Sequence, residues 1–267
     1  MCKRQMQVMI VLSIIVVASF SHDALAAFPG RNGNIAFNSQ RGGGSQNIWF
    51  MDSNGVGLFN LTAGYGGGEP AFSADGQIIA FNSTFSGRQE IFIANVDGTG
   101  LRRVTDNPAG NLGNSFSPDG RRIAYHSYGL AGSQVFVANT DGTGETQLTF
   151  SADNHTARFS PDGGKIAFHS RRDGNAEIYI MNSDGSNQVN LSTNPAADDR
   201  PAFSPNGSRL AFMSNRDGDY EIYVMSSDGS NVMRLTSNSA YDESPAWSPD
   251  GTKIAFSSDR DGDLEVY

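Results

Sequence analysis

Phe159-Ser160-Pro161-Asp162-Gly163-Gly164-Lys165-Ile166-Ala167-Phe168 sets two short apolar runs around a turn, and its parts recur along the chain. The triplet Ile-Ala-Phe or a close variant begins at Ile35, Ile79, Ile123, Ile166, Leu210 and Ile254, at intervals of 44, 44, 43, 44 and 44 residues. A period of this size marks propeller blades or solenoid units. Ser-Pro-Asp-Gly precedes the triplet at 117–120, 160–163 and 248–251, with Ser-Pro-Asn-Gly at 204–207. Proline presets φ at the second turn position and glycine accepts the left-handed conformation that follows, so each copy reads as a tight hairpin.

Working outward through one unit, four apolar runs alternate with turn signals: Pro201 to Ser204, Leu210 to Met213, Glu221 to Met225 and Met233 to Thr236. All are strand-length and too short for a helix. Arg216-Asp217-Gly218 separates the second and third runs, and Asp228-Gly229 the third and fourth. Three hairpins in succession predict a four-stranded antiparallel meander. The middle runs are apolar on consecutive residues, as in Ile178-Tyr179-Ile180-Met181, so both faces of the meander must be covered. Blades stacked radially meet that demand, with the small Ala of each triplet leaving room for a neighbour's aromatic ring. The expected fold is all-β: a six-bladed β-propeller of four-stranded antiparallel blades, with repeats near 27–62, 70–105, 114–149, 157–193, 201–236 and 245–267. The last copy stops at Glu265-Val266-Tyr267, in its third strand, so an incomplete last blade or a C-terminally truncated fragment is expected.

The assembled motif, Ala-Phe-Ser-Pro-Asp-Gly-x-x-Ile-Ala-Phe followed by Arg-Asp-Gly-x-x-Glu-Ile-Tyr-x-Met-x-x-Asp-Gly and Leu-Thr, resembles the TolB-like, WD-type propeller repeat. The resemblance covers Ala27 to Tyr267 and is fullest over Phe159 to Met181, Phe203 to Met225 and Trp247 to Tyr267. It implies a six-bladed propeller in an exported bacterial protein.

Export is also read from the N-terminus. Lys3 and Arg4 precede an apolar run from Val8 to Phe20, and Ala24 and Ala26 supply a small-x-small site with cleavage between Ala26 and Ala27. Residues 1–26 are therefore expected to be a signal peptide, with a periplasmic or secreted product that does not insert in a membrane. Ala27-Phe28 stands nine residues ahead of Ala36-Phe37, as Ala71-Phe72 stands ahead of Ala80-Phe81, and is expected as a stub of the first blade's inner strand. The one cysteine, Cys2, falls within the leader, which leaves no thiolate ligand or disulfide. Without Lys3, Arg4 and Asp23 the balance is 17 basic against 27 acidic residues. Such a surface repels phosphate backbones, so nucleic acid is excluded as a partner. A protein or carbohydrate partner and a monomeric state are expected.

Segments entering the innermost strands converge at one mouth of a propeller's channel. Five residues ahead of Phe72, Phe116, Phe159, Phe203 and Trp247 stand Gly67, Asn111, Asn154, Asp198 and Asp242; the next residues are Gly68, Leu112, His155, Asp199 and Glu243. Asn111, Asn154, His155, Asp198, Asp199, Asp242 and Glu243 are the expected ligand-binding set. No cofactor motif is present; the acids of this ring leave room for a divalent cation, with Asp198 and Asp242 as its ligands. His126 and His169 follow the triplet where other copies have Asn38, Asn82, Met213 and Ser257, and a position that accepts Met and Ser reads as packing. The sequence has no Gly-x-Ser-x-Gly elbow, no His-Glu-x-x-His and no phosphate-binding glycine loop. A non-catalytic binding module is the leading expectation. The alternative is the propeller portion of an enzyme, either a serine peptidase with its catalytic domain further along or a metal-assisted polysaccharide lyase or hydrolase.

Overall fold

The computed structural model describes residues 14–18, 32–40, 46–51, 56–129 and 132–267. Every regular element among them is a β-strand. Blade 2 comprises β5 (Gly68–Phe72), β6 (Ile78–Ser83), β7 (Glu90–Asn95) and β8 (Arg102–Arg103); blade 3 comprises β9 (Asn111–Phe116), β10 (Arg122–Ser127), β11 (Gln134–Asn139) and β12 (Thr146–Gln147). Blade 4 holds β13 (Asn154–Phe159), β14 (Lys165–Ser170), β15 (Glu177–Asn182) and β16 (Val189–Asn190), and blade 5 holds β17 (Asp198–Phe203), β18 (Arg209–Ser214), β19 (Glu221–Ser226) and β20 (Met233–Arg234). Among the described residues blade 6 is three-stranded: β21 (Asp242–Trp247), β22 (Ile254–Ser258) and β23 (Glu265–Val266).

Blade 1 departs from expectation. Its β2 (Asn32–Ser39), β3 (Asn47–Met51) and β4 (Phe59–Asn60) follow the repeat, but the inner position is taken by β1 (Ile14–Ala18), drawn from the apolar run read as a leader. β1 pairs antiparallel with β2, Ile14 opposite Phe37 and Val16 opposite Ile35. Ile14-Ile15-Val16-Val17 is β-branched throughout, the composition that suits a strand. Ala27 and Phe28, expected in that place, and the cleavage residues Ala26 and Ala27 lie outside the described residues. Inner strands neighbour one another in chain order, and β1 lies beside both β5 and β21, so the six sheets close into a ring.

The core lies between blades. Ala80, Ala124 and Ala167 are fully buried and cluster with Phe116, Phe159 and Phe203 respectively, each ring coming from the inner strand of the next blade. At the closing seam, Phe37 gathers Ile35, Trp49 and Met51 of blade 1 with Ala255 and Val266 of blade 6.

The hairpin turns stack as well. Ser160 Oγ donates to Asp162 Oδ1 at 2.5 Å and accepts from Lys165 N–H, locking the turn. Gly163 needs φ +71°, and a Cβ there would meet Pro118 of the preceding blade at 3.2 Å, so this turn demands glycine for conformation and for space.

Candidate functional site at the channel mouth

The inner strands share one irregularity. In blades 2 to 6 the inner strand carries a bulge three residues ahead of its aromatic, at Glu69, Gly113, Thr156, Arg200 and Ser244, all with φ between +50° and +71°. In blade 4, Thr156 and Ala157 together oppose one residue between the pairs His155 with His169 and Arg158 with Ala167. Only one of the five is glycine. A β-branched residue in the left-handed region is strained by about 1–2 kcal/mol. Gly113 has a separate reason, since a Cβ there would stand 2.5 Å from His126 Nδ1.

The bulge divides the expected binding set. Side chains one residue before it turn to the axis, while those two residues before it turn into the blade. Asn111, Asn154, Asp198 and Asp242 are fully buried and engaged there. Arg216 Nη2 reaches both Asp198 oxygens at 2.9 Å, and Arg260 Nη2 reaches Asp242 at 3.1 and 3.0 Å. Arg172 donates to Asn154 Oδ1 at 3.2 Å, and Asn111 Nδ2 donates to Glu90 at 2.8 Å. The same arginines lie over aromatic rings, Arg216 4.9 Å from the Tyr223 centroid and Arg260 4.4 Å from that of Tyr267. Tyr223 and Tyr267 in turn donate to Asp217 and Asp261, the acids of the Arg-Asp-Gly turns. The charges of Asp198 and Asp242 are thus matched inside the blades, and among the described residues no group of three or more His, Cys, Asp or Glu side chains is placed to hold a metal ion.

His155 and Asp199 instead line a cavity of about 440 Å³ on the axis, walled by the inner strands of blades 2 to 6. Glu243 approaches from its edge, with its Oε2 3.2 Å from Arg200 Nη2. His126 and His169 also line the cavity. Both are buried, as packing groups would be, but what they pack against is the third histidine. The His155 ring centroid lies 4.7 Å from His126 and 5.0 Å from His169, stacked on the latter at 16°. The signal was in the pairing register: the residue after the triplet sits opposite the mouth residue of its own blade, as His169 does His155 and Met213 does Asp199.

These groups form a polar belt crossing blade boundaries. Gly113 N–H donates to Glu69 Oε2 at 2.7 Å, and Asn114 Nδ2 to Glu69 O at 2.8 Å. Arg158 Nη1 donates to Gly113 O at 3.2 Å and Asn114 O at 3.1 Å. His169 Nδ1 lies 2.5 Å from Asp199 Oδ1, off the line of a ring N–H, and Arg200 Nη1 is 2.5 Å from Ser244 Oγ. Burial pushes His126 down to about 3, with the charges of His155 and His169 adding to the effect. Burial and then the His169 charge also lower His155, against the pull of Asp153. For Asp199 burial acts upward, but His169 and Arg200 outweigh it and hold the carboxyl below its ordinary value.

With this geometry in place, the comparisons with known proteins are direct. Residues 62–193, 112–233 and 195–267 match, in overlapping segments, the family model described as the TolB beta propeller domain. No curated protein sequence matches the chain. TolB from Acinetobacter baumannii superposes with a TM-score of 0.74 at 21% identity, covering 85% of this chain, which spans 60% of that TolB. A putative TolB from Agrobacterium tumefaciens gives 0.71 at 23% identity over 86% of each chain. Oligogalacturonate lyase from Vibrio parahaemolyticus gives 0.63 at 12% identity over 96% of each. At these identities the likeness is one of fold.

Proposed function

The chain belongs to the TolB beta propeller domain family, and from that premise we propose that it is an exported binding module whose ligand enters the channel mouth. One observation carries the reading: where the hairpin turns repeat from blade to blade, the residues around the axial cavity do not. His155, Asp199 and Arg200 each come from a position at which the other blades carry something else, and His126 and His169 share one position that holds Asn, Met or Ser in the remaining blades. A volume of about 440 Å³ falls in the range of small-ligand sites and suits a sugar or the end of a partner protein chain. The basic start, apolar run and small-x-small site within residues 1–26 support export to the periplasm or beyond, and cleavage there would take β1 from the inner place of blade 1. A thermal-shift panel of mono- and disaccharides and short peptides tests the proposal. A ligand that raises the melting temperature of the wild type and not of the double variant Asp199→Asn with Arg200→Ala supports it; a ligand effect of equal size in both variants places binding elsewhere and defeats it.

The enzyme alternative rests on His169 and Asp199, an imidazole and a carboxylate 2.5 Å apart in the cavity wall, the groups from which a general base could be assembled. The fold likeness to an oligogalacturonate lyase makes acidic oligosaccharides the substrates to try. New reducing ends or unsaturated products that vanish in His169→Asn would establish it over plain binding.

A further inference from the structure

Five equivalent residues line the cavity one position ahead of the inner-strand aromatic: Ala71, Ser115, Arg158, Ala202 and Ala246. Four are small, which leaves the axis open, and the fifth is an arginine. Its Nη1 is spent on the carbonyls of Gly113, Asn114 and Ala157, which fixes the guanidinium plane. Nε and Nη2 donate to no protein group among the described residues, and no carboxylate stands within ion-pair reach. Arg200, by contrast, already has Glu243.

Arg158, Arg171 and Arg200 line this one cavity together with Glu69 and Asp199, whose carboxylates are engaged by Gly113 N–H and by His169; burial lowers Arg158 from the usual arginine value, the Glu69 charge pulls against it and the Arg200 charge adds to it. A guanidinium withdrawn from water with no carboxylate in ion-pair contact is stabilised by an anion brought to its free edge. A planar guanidinium with a free edge matches a carboxylate.

Besides His169 Nδ1, which faces Asp199, two atoms of the same cavity wall lack hydrogen-bond partners. Asn114 is 1% exposed and its Oδ1 accepts nothing; His126 is 6% exposed and its Nδ1 is likewise unsatisfied. A buried amide oxygen can only accept, so it calls for a hydroxyl or N–H from a ligand. The aromatic residues Phe159, Phe203 and Trp247 complete the wall.

We infer that the channel takes a small hydroxylated carboxylate, the chemistry of an acidic sugar, with Arg158 holding the carboxylate and Asn114 a hydroxyl. The inference rests on the channel being the binding site. Calorimetric titration of the folded protein with D-galacturonate, D-galactose and propionate separates the contributions of carboxylate and hydroxyls. Galacturonate binds tightest, and Arg158→Ala, the residue that three sister strands carry, weakens it by about thirtyfold or more while leaving galactose unchanged. Arg158→Lys keeps the charge but loses the fork and falls between, which preserves the test if the alanine variant fails to fold. Equal binding of galactose and galacturonate, or an Arg158→Ala protein that binds galacturonate as well as the wild type, overturns the carboxylate assignment. If galactose still titrates and is lost on Asp199→Asn, the channel reading survives that failure; if none of the three ligands titrates, the acidic-sugar inference falls and the peptides of the thermal-shift panel decide the channel reading.

Discussion

Blades 4 and 5 share a backbone and differ at the axis. In both, a left-handed residue bulges the inner strand, an arginine from the Arg-Asp-Gly turn reaches back to that strand, and a phenylalanine fills the alanine face of the blade before. Blade 4 then offers His155, Arg158 and His169 to the cavity where blade 5 offers Asp199, Arg200 and Ala202 and buries Met213 at the place of His169. Inside the blades the contrast is one of charge: Arg172 meets the neutral Asn154 and Gln188, whereas Arg216 grips the fully buried Asp198 through both oxygens. The comparison teaches that the frame tolerates either arrangement, so the axial residues are free to be chosen by a ligand.

The frame is what Phe203→Ala breaks. It removes the ring that packs blade 5 on Ala167 of blade 4, and urea unfolding should show a loss of about 4 kcal/mol, the largest effect expected. Asp198→Ala comes next, at about 3 kcal/mol, because it strands the Arg216 guanidinium, while the matching Asn154→Ala should cost only about 1–2 kcal/mol. Equal losses in the two blades would mean that the buried charge is not what distinguishes them.

The histidine belt gives a pH signature. His126 titrates near 3 in the fold and near 6.5 when unfolded, so below 6.5 the unfolded chain binds the extra proton and stability falls with pH down to the folded value. The slope is about 1.4 kcal/mol per pH unit. His126→Asn, which installs the residue of blades 1 and 2, should reduce the wild-type loss between about pH 6 and 4 by that slope, as read from melting at each pH. Smallest of all, Thr156→Gly should stabilise blade 4 by about 1 kcal/mol, since it removes a left-handed threonine at some entropic cost. No gain would show that the surrounding contacts already absorb the strain.

Much of this frame could be read in advance, because a turn needs particular residues: proline and glycine at 161 and 163, and Asp-Gly at 184 and 185, each announce a hairpin. The axial face could not be read the same way. Strict alternation back from Phe159 leaves the facing of Asn154 and His155 undecided until the bulge is known, and four of its five occurrences carry Glu, Thr, Arg or Ser, none of which signals φ > 0. Comparing equivalent positions read His126 and His169 as packing residues; both are buried, and both also line the cavity, which the comparison does not reveal. A position that holds Met in one blade can still serve a ligand in another, since a ligand on the axis meets each blade only once. Arg158 was visible as the break in a run of Ala and Ser, but only the cavity gives that break a meaning.

The seam between blades 1 and 6 has a kinetic consequence. Among the described residues the contacts between successive blades join residues roughly one repeat apart, whereas at the closing seam Phe37 meets Ala255 and Val266 across roughly 220 residues of chain. Closing that loop costs about 1.4 kcal/mol more than closing a single repeat. Chain entropy therefore favours a ring that grows as an open arc from blade to blade and closes at this seam last.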